Sequence, residues 1–263
     1  EKAFCAGGDL HSLYRSMVGY RQAGHQDIRA NGYASEFFEV EYRVDHRIHT
    51  FPKPVLCWGH GIVMGGGIGL MSGASHRVVS ERSKLAFPEI TVGLFPDVGG
   101  SWLLNRVPEG VGRFLALTGA ILSPADAIHA GLADVQLPEA SRAEVLEALV
   151  QTAWSDSANE RSAQLDAVLA AYAATSEPGP LQRNAQAIAA ACQGGVLEDM
   201  VAAISALPSD DEPWLATAQA TMAAGAPGSL RLGFELQRRA EGMSLAEVFR
   251  MEYVVALHCA AHG

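Results

Sequence analysis

The chain is poor in the features that mark several common protein classes. Only three of its 19 basic residues are lysines, and 29 acidic residues leave a net charge of −10. That balance argues against a nucleic-acid surface. The four cysteines, Cys5, Cys57, Cys192 and Cys259, show no C-x-x-C spacing. They read as thiols of a reducing compartment, which points to the cytoplasm, or to the mitochondrion if the chain is eukaryotic. No run approaches the ~20 apolar residues that a membrane helix needs, and no basic leader with an apolar core opens the chain. The nine histidines form no H-E-x-x-H or other metal pattern. No G-x-G-x-x-G register passes through residues 59–73, and no Gly-Lys pair supplies a Walker A loop.

What is present is a chain of 263 residues, 49% hydrophobic, able to build a sizeable core. Its most informative stretch runs from Pro54 to Arg106. Gly65-Gly66-Gly67 closes an apolar run there. Val55-Leu56-Cys57-Trp58 reads as a buried strand and Gly69–Ala74 as a closely packed helix. Glycines between them let backbone N–H groups approach a ligand with no Cβ in the way, and a helix start adds unpaired donors. A plain strand-to-helix turn would look the same.

The same stretch carries two acids, Glu89 and Asp97, each directly after a proline. Proline fixes the local chain and presents the acid from a turn. Glu89 could be an ordinary exposed turn acid, and Asp97 the N-cap of a helix over 99–106. In surroundings as apolar as Leu85-Ala86-Phe87 and Leu94-Phe95, both would instead have perturbed pKa values, as acid–base groups do.

His76–Val79 and Leu85–Phe87 read as further strands, and short strands separated by helices imply parallel pairing. Phe4–Asp9 reads as a strand end turning through glycines, and Leu10–Arg29 as a helix with a mobile loop. A helix over 35–49 carries Phe37, Phe38 and Tyr42, with Glu41 on the same face. Such an acid is either paired with an arginine or lines a substrate pocket. Val111–Thr118 should be a helix closed by Gly119. Another should start at Ser123, with Pro124 in its first turn, and end at Gly131. From 140 onward the pattern predicts helices over 140–153, 159–174, 181–192, 196–206, 213–224, 228–240 and 244–258.

Residues 1–135 resemble the crotonase (enoyl-CoA hydratase/isomerase) superfamily. The resemblance rests on Lys2-Ala3-Phe4-Cys5-Ala6-Gly7-Gly8-Asp9-Leu10, on His60-Gly61-Ile62-Val63-Met64-Gly65-Gly66-Gly67, on Phe87-Pro88-Glu89 and on Gly131-Leu132-Ala133-Asp134. Within the superfamily the chain is most similar to the 3-hydroxyisobutyryl-CoA hydrolases. The marks are Phe37-Phe38 with Glu41-Tyr42, Met64–Gly69, the run Gly93-Leu94-Phe95-Pro96-Asp97-Val98-Gly99-Gly100, and Met251-Glu252-Tyr253.

That resemblance implies an α/β fold: a ββα spiral core over 1–135, with its first strands apparently missing, and a helical C-terminal region over 136–263. It implies hydrolysis of a short 3-hydroxyacyl-CoA thioester in valine breakdown, with no cofactor beyond the CoA of the substrate. The N–H groups of Gly8 and Gly66 would polarise the thioester oxygen. Glu89 would be nucleophile or base, Asp97 would hold the substrate hydroxyl, and Glu41 would help bind the acyl end. The Ala3, Ala6 and Gly7 backbone would lie near the CoA. Family members are often trimers or pairs of trimers. An enoyl-CoA hydratase is the first alternative, but hydratases carry a second acid where this chain has Gly69. An isomerase and a non-catalytic CoA-binding or assembly protein are the others.

Overall fold

Short apolar runs bounded by glycines build two small parallel sheets in the computed structural model, which describes residues 2–262. The strands are β1 (Ala3–Cys5), β2 (Leu56–Gly59), β3 (Ile62–Met64), β4 (His76–Val79), β5 (Lys84–Ala86) and β6 (Val135–Gln136). Odd-numbered strands form one sheet in the order β1-β3-β5, and even-numbered strands the other, β2-β4-β6. Every ladder is parallel. The chain therefore changes sheet at each successive strand. Two strands are followed by helix, then two strands again, and the result is a ββα spiral.

Between β1 and β2 lie α1 (Leu10–Gln22) and α2 (Gly32–His49). Asp9 starts α1 by accepting the Ser12 N–H at 3.0 Å, and Asn31 starts α2 by accepting that of Ala34 at 3.2 Å. A short helix, α3 (Gly66–Ser72), separates β3 from β4. Between β5 and β6 come α4 (Gly100–Leu103), α5 (Val111–Thr118) and α6 (Pro124–His129). Gly119 closes α5 in the left-handed region, and Ser123 caps α6 ahead of Pro124, both as expected.

The remainder is helical: α7 (Arg142–Gln151), α8 (Ala158–Ala170), α9 (Pro180–Arg183), α10 (Ala185–Ala191), α11 (Leu197–Ser205), α12 (Pro213–Ala224), α13 (Pro227–Ala240) and α14 (Leu245–His262). The single helix expected over 181–192 is broken at Asn184. Its side-chain amide donates to the Pro180 carbonyl at 2.8 Å, and its own φ of −100° leaves the helical range. Local side-chain bonding competes there with the backbone ladder. Among the described residues no helix is long and apolar enough to cross a membrane.

Three apolar clusters hold these parts together. The largest fills the space between the sheets and α5, α10, α11 and α12 through Val63, Phe87, Phe114, Ile188, Ile204 and Met222. A second joins α1, α2 and α14 to the turn before α4, through Leu13, Phe38, Tyr42, Phe95, Val98, Phe249 and Leu257. The third lies under α7 and α8, around Trp58, Val78 and Leu165. The second positions the site, because it packs both α2 and α14 against the Phe95–Val98 turn.

Candidate active site

The two glycine segments meet at the carboxyl ends of β1 and β3. Gly7 has φ +96°, and a Cβ added to it would lie 3.8 Å from the Gly66 nitrogen. A Cβ on Gly66 would lie 3.8 Å from the Gly7 Cα and would run into the Glu41 carboxylate. A Cβ on Gly8 would strike the Phe37 ring. Glycine is required here by close approach, not by a turn alone. Neither the Gly8 nor the Gly66 N–H donates to an acceptor among the described residues. The two segments therefore present unpaired donors to one narrow cavity.

That cavity has a volume of about 90 Å³. Its lining includes Ala6, Gly7, Gly8, Gly65, Gly66, Glu41, Glu89 and Asp97, with Leu10, Leu13, Phe37, Phe38, Pro88, Val92 and Leu94 as apolar walls. Seven of the eight residues singled out in the sequence thus share one lining. The eighth, Ala3, lies in β1 opposite Ile62, outside it. The Gly131–Asp134 motif is not at the cavity either. Asp134 accepts the Arg77 backbone N–H at 2.6 Å and its guanidinium at 3.0 Å, which ties β4 to the approach of β6.

Glu89 opens a 3-10 turn, Glu89–Thr91, directly after β5. Its backbone carbonyl accepts from Val92 at 3.1 Å and from Leu94 at 3.0 Å, while Ile90 accepts from Ala226, just ahead of α13. The side chain is only 5% exposed, and Oε2 has no hydrogen-bond partner among the described residues. Glu89 is therefore not an exposed turn acid. Burial pushes its carboxyl well above the usual carboxylate range, and the Asp97 charge adds to the shift.

Asp97 is 7% exposed and is not a side-chain N-cap. Gly99 is the capping residue of α4. The Asp97 carboxylate instead accepts the Tyr42 hydroxyl at 2.6 Å, and only its backbone carbonyl accepts from Gly100. The apolar pairing of Phe38 and Tyr42 with Phe95 and Val98 has pulled the carboxylate toward α2. Burial raises Asp97 to about 6, held back by the Tyr42 hydrogen bond.

Glu41 has no arginine partner among the described residues. Burial pushes it up to about 8, with the Asp97 charge as the second cause. The salt-bridge alternative is therefore overturned, and the carboxyl faces the cavity.

Two more acids belong to this cluster that residue patterns alone did not single out as site residues. Asp45, one turn beyond Glu41 on α2, is 0% exposed, and neither carboxyl oxygen has a partner among the described residues. Burial, then Glu41, pushes it up to about 8, which keeps it protonated near neutrality. Its carboxyl stands against Gly69: a Cβ there would be 2.6 Å from Oδ2 and 2.7 Å from the Val98 Cβ. Glu252 on α14 is also fully buried, and burial raises it to about 8 against two backbone hydrogen-bond donors. The available signal was helical periodicity. Ala34, Phe38, Tyr42 and Asp45 lie on one face of α2, as Val248, Phe249, Glu252 and Ala256 do on α14. None of the ion pairs found among the described residues involves any of the five acids.

The arrangement offers two N–H donors for a developing oxyanion, a buried carboxyl able to attack or to take a proton, and a hydroxyl-bound aspartate beside it. Comparison with known proteins gives matches over nearly the whole chain. A family model described as enoyl-CoA hydratase/isomerase matches residues 1–263. The mitochondrial 3-hydroxyisobutyryl-CoA hydrolase of Danio rerio is 35% identical over 260 residues, covering 98% of this chain and 64% of the relative. The chain thus spans just under two thirds of that protein's length. A solved structure of a carnitinyl-CoA dehydratase from Mycobacterium thermoresistibile superposes with a TM-score of 0.82 at 34% identity, over 100% of this chain and 71% of that one. An enoyl-CoA hydratase from Rhodobacter sphaeroides superposes with a TM-score of 0.80 at 33% identity, over 98% and 69%.

Proposed function

The chain belongs to the enoyl-CoA hydratase/isomerase family, and we propose that within it the protein hydrolyses the thioester of 3-hydroxyisobutyryl-CoA. The observation that carries this reading is the convergence of Glu89 and Asp97 on a cavity with two unpaired glycine N–H groups. The thioester oxygen would accept from Gly8 and Gly66. As charge develops there, such preorganised donors stabilise the transition state, each by about 3 kcal/mol. Glu89, in the ionised form that its raised pKa disfavours, would either attack the acyl carbon, giving an anhydride that water opens, or take a proton from the attacking water. In both routes the C–S bond breaks and CoA leaves as the thiol.

Asp97 would accept the 3-hydroxyl of the substrate while Tyr42 fixes its orientation. Glu41, protonated at neutral pH by its raised pKa, would donate to the acyl end. The name of the Danio rerio relative supports this substrate. The solved neighbours, a dehydratase and a hydratase, support a second reading, addition or removal of water across a double bond. That chemistry uses a second acid at the position of Gly69, and Gly69 has no carboxylate.

Incubation with 3-hydroxyisobutyryl-CoA and with crotonyl-CoA, in the presence of a thiol reagent, separates the readings. Free CoA from the first substrate is expected. Hydration of crotonyl-CoA faster than its hydrolysis would overturn the hydrolase reading, and no turnover of either would leave a non-catalytic protein. Asp97→Gly should lower hydrolysis of the hydroxylated substrate at least about tenfold, or about 1.4 kcal/mol. The loss should be smaller for an acyl-CoA without the hydroxyl, and equal losses would show that Asp97 does not read it.

A further inference from the structure

The turn that carries Asp97 does not hold its own shape. Val98 has φ +53°, the only positive φ at a non-glycine position among the described residues. Such a conformation costs about 1 kcal/mol or more and persists only where surrounding structure over-determines it. The helix that follows, α4, begins at Gly99 and Gly100, so no side chain of its own can cap it.

The cap comes from 150 residues further along the chain. Glu252 of α14 accepts the Gly99 N–H through Oε2 at 2.7 Å and the Ser101 N–H through Oε1 at 2.9 Å. Both carboxylate oxygens are used, and both donors lie in the first turn of α4. The two bonds satisfy N–H groups that a helix start leaves without a partner. They complement the partial positive charge of exposed N–H groups. One turn earlier on α14, Phe249 packs against Gly99: a Cβ there would lie 3.2 Å from its Cζ. Phe95 and Val98, which flank Asp97, are buried in the same cluster as Phe249 and Leu257.

We infer that Glu252 is a positioning residue: its carboxylate clamps the Gly99 and Ser101 N–H groups and so fixes the turn that aims Asp97 at the substrate. The inference rests on the reading of Asp97 given above. Glu252 does not line the cavity and meets the turn through these two bonds. The Tyr42 hydroxyl sets the carboxylate end of Asp97, and Glu252 sets its backbone end. Helices α2 and α14, which pack on each other, thus hold one residue at two points.

Glu252→Gln tests it, because glutamine keeps the volume but turns an NH2 toward one of the two donors. In the intact protein kcat for CoA release from 3-hydroxyisobutyryl-CoA should fall about tenfold while KM moves less than about threefold. Amide exchange at Gly99 and Ser101 should accelerate about tenfold, with β2 and β4 unchanged. In an Asp97→Asn background the same change should cost less than about twofold, since the clamp then has nothing to aim. Equal losses in both backgrounds, or parental exchange at the two amides, would overturn the inference. If Glu252→Gln does not fold, Ser101→Pro removes a donor instead of the acceptor at a helix position that tolerates proline; full activity in that variant would overturn it equally. A parent protein that releases no CoA would sink the hydrolase reading alone, and the exchange rates would still decide whether Glu252 holds the turn.

Discussion

The cavity has two walls built on different principles. One is backbone: Gly7-Gly8 and Gly65-Gly66-Gly67 bring N–H groups together because nothing projects between them. The other is side chain: Glu41, Glu89 and Asp97 are delivered by α2, a 3-10 turn and the start of α4, with Asp45 and Glu252 behind them. The glycine wall needs only a few consecutive residues and the pairing of β1 with β3. The acid wall needs α2, α14 and two proline turns to meet. A backbone wall is cheap to encode, and any side chain on it comes between the donors and a ligand. A carboxyl wall is distributed and carries an electrostatic cost, because five acids, four of them buried, lie close together with no basic partner among the described residues.

The sharpest way to break the comparison is at the reacting group. Glu89→Gln should reduce hydrolysis at least about a thousandfold while CoA-ester binding, measured by calorimetry, stays near the parental value. Near-normal turnover would remove the acid wall from the chemistry.

A smaller effect is expected on the glycine side, where the two walls touch. Gly66→Val places its Cβ in the Glu41 carboxylate, the movable end of a flexible side chain, so the fold should tolerate it. Activity should fall about a hundredfold as the acyl oxygen is pushed off its donors. The melting temperature should move by only a few degrees. A variant that fails to fold would show that this glycine serves packing.

The smallest effect measures the electrostatic cost itself. Glu41, Asp45 and Glu252 have folded pKa values of about 8, far above those of an unfolded chain. Between pH 4 and 8 the folded protein therefore binds more protons than the unfolded one, and stability falls as pH rises through that window. Asp45→Asn removes one such group without touching the cavity. It should remove up to about 1.4 kcal/mol per pH unit from the fall in urea-unfolding stability between pH 5 and 8. An unchanged slope would mean that Asp45 stays charged or meets solvent.

The same division decides what could be read from residues alone. Parallel pairing, the Ser123 cap and the Gly119 stop follow from local chemistry, whereas the spiral and the pairing of Gly8 with Gly66 were expected only from the family resemblance. Glu89 and Asp97 announced themselves through their prolines. Strand β3 was not legible: Ile62–Met64 is three residues between glycines, and it is a strand only because β1 and β5 flank it. β6 is two residues, paired to β4 across more than fifty positions. The partners of Asp97 were hidden for the same reason. Nothing near it in the chain says that a tyrosine 55 residues earlier will bind its carboxylate, or that a glutamate 155 residues later will clamp its turn.

Gly69 and Asp45 set the order in which this site could be rewritten. The space a side chain at 69 would enter already holds the Asp45 carboxyl and the Val98 methyls. An acid introduced there alone would collide with both, and through Val98 it would unseat the turn that carries Asp97. The same acid after Asp45 has been shortened meets only one obstacle. Two carboxyl positions thus compete for a single volume, and a route to an acid at residue 69 runs through residue 45 first. Single-substitution scans would score position 69 as closed, although the first step of the route lies one helix away.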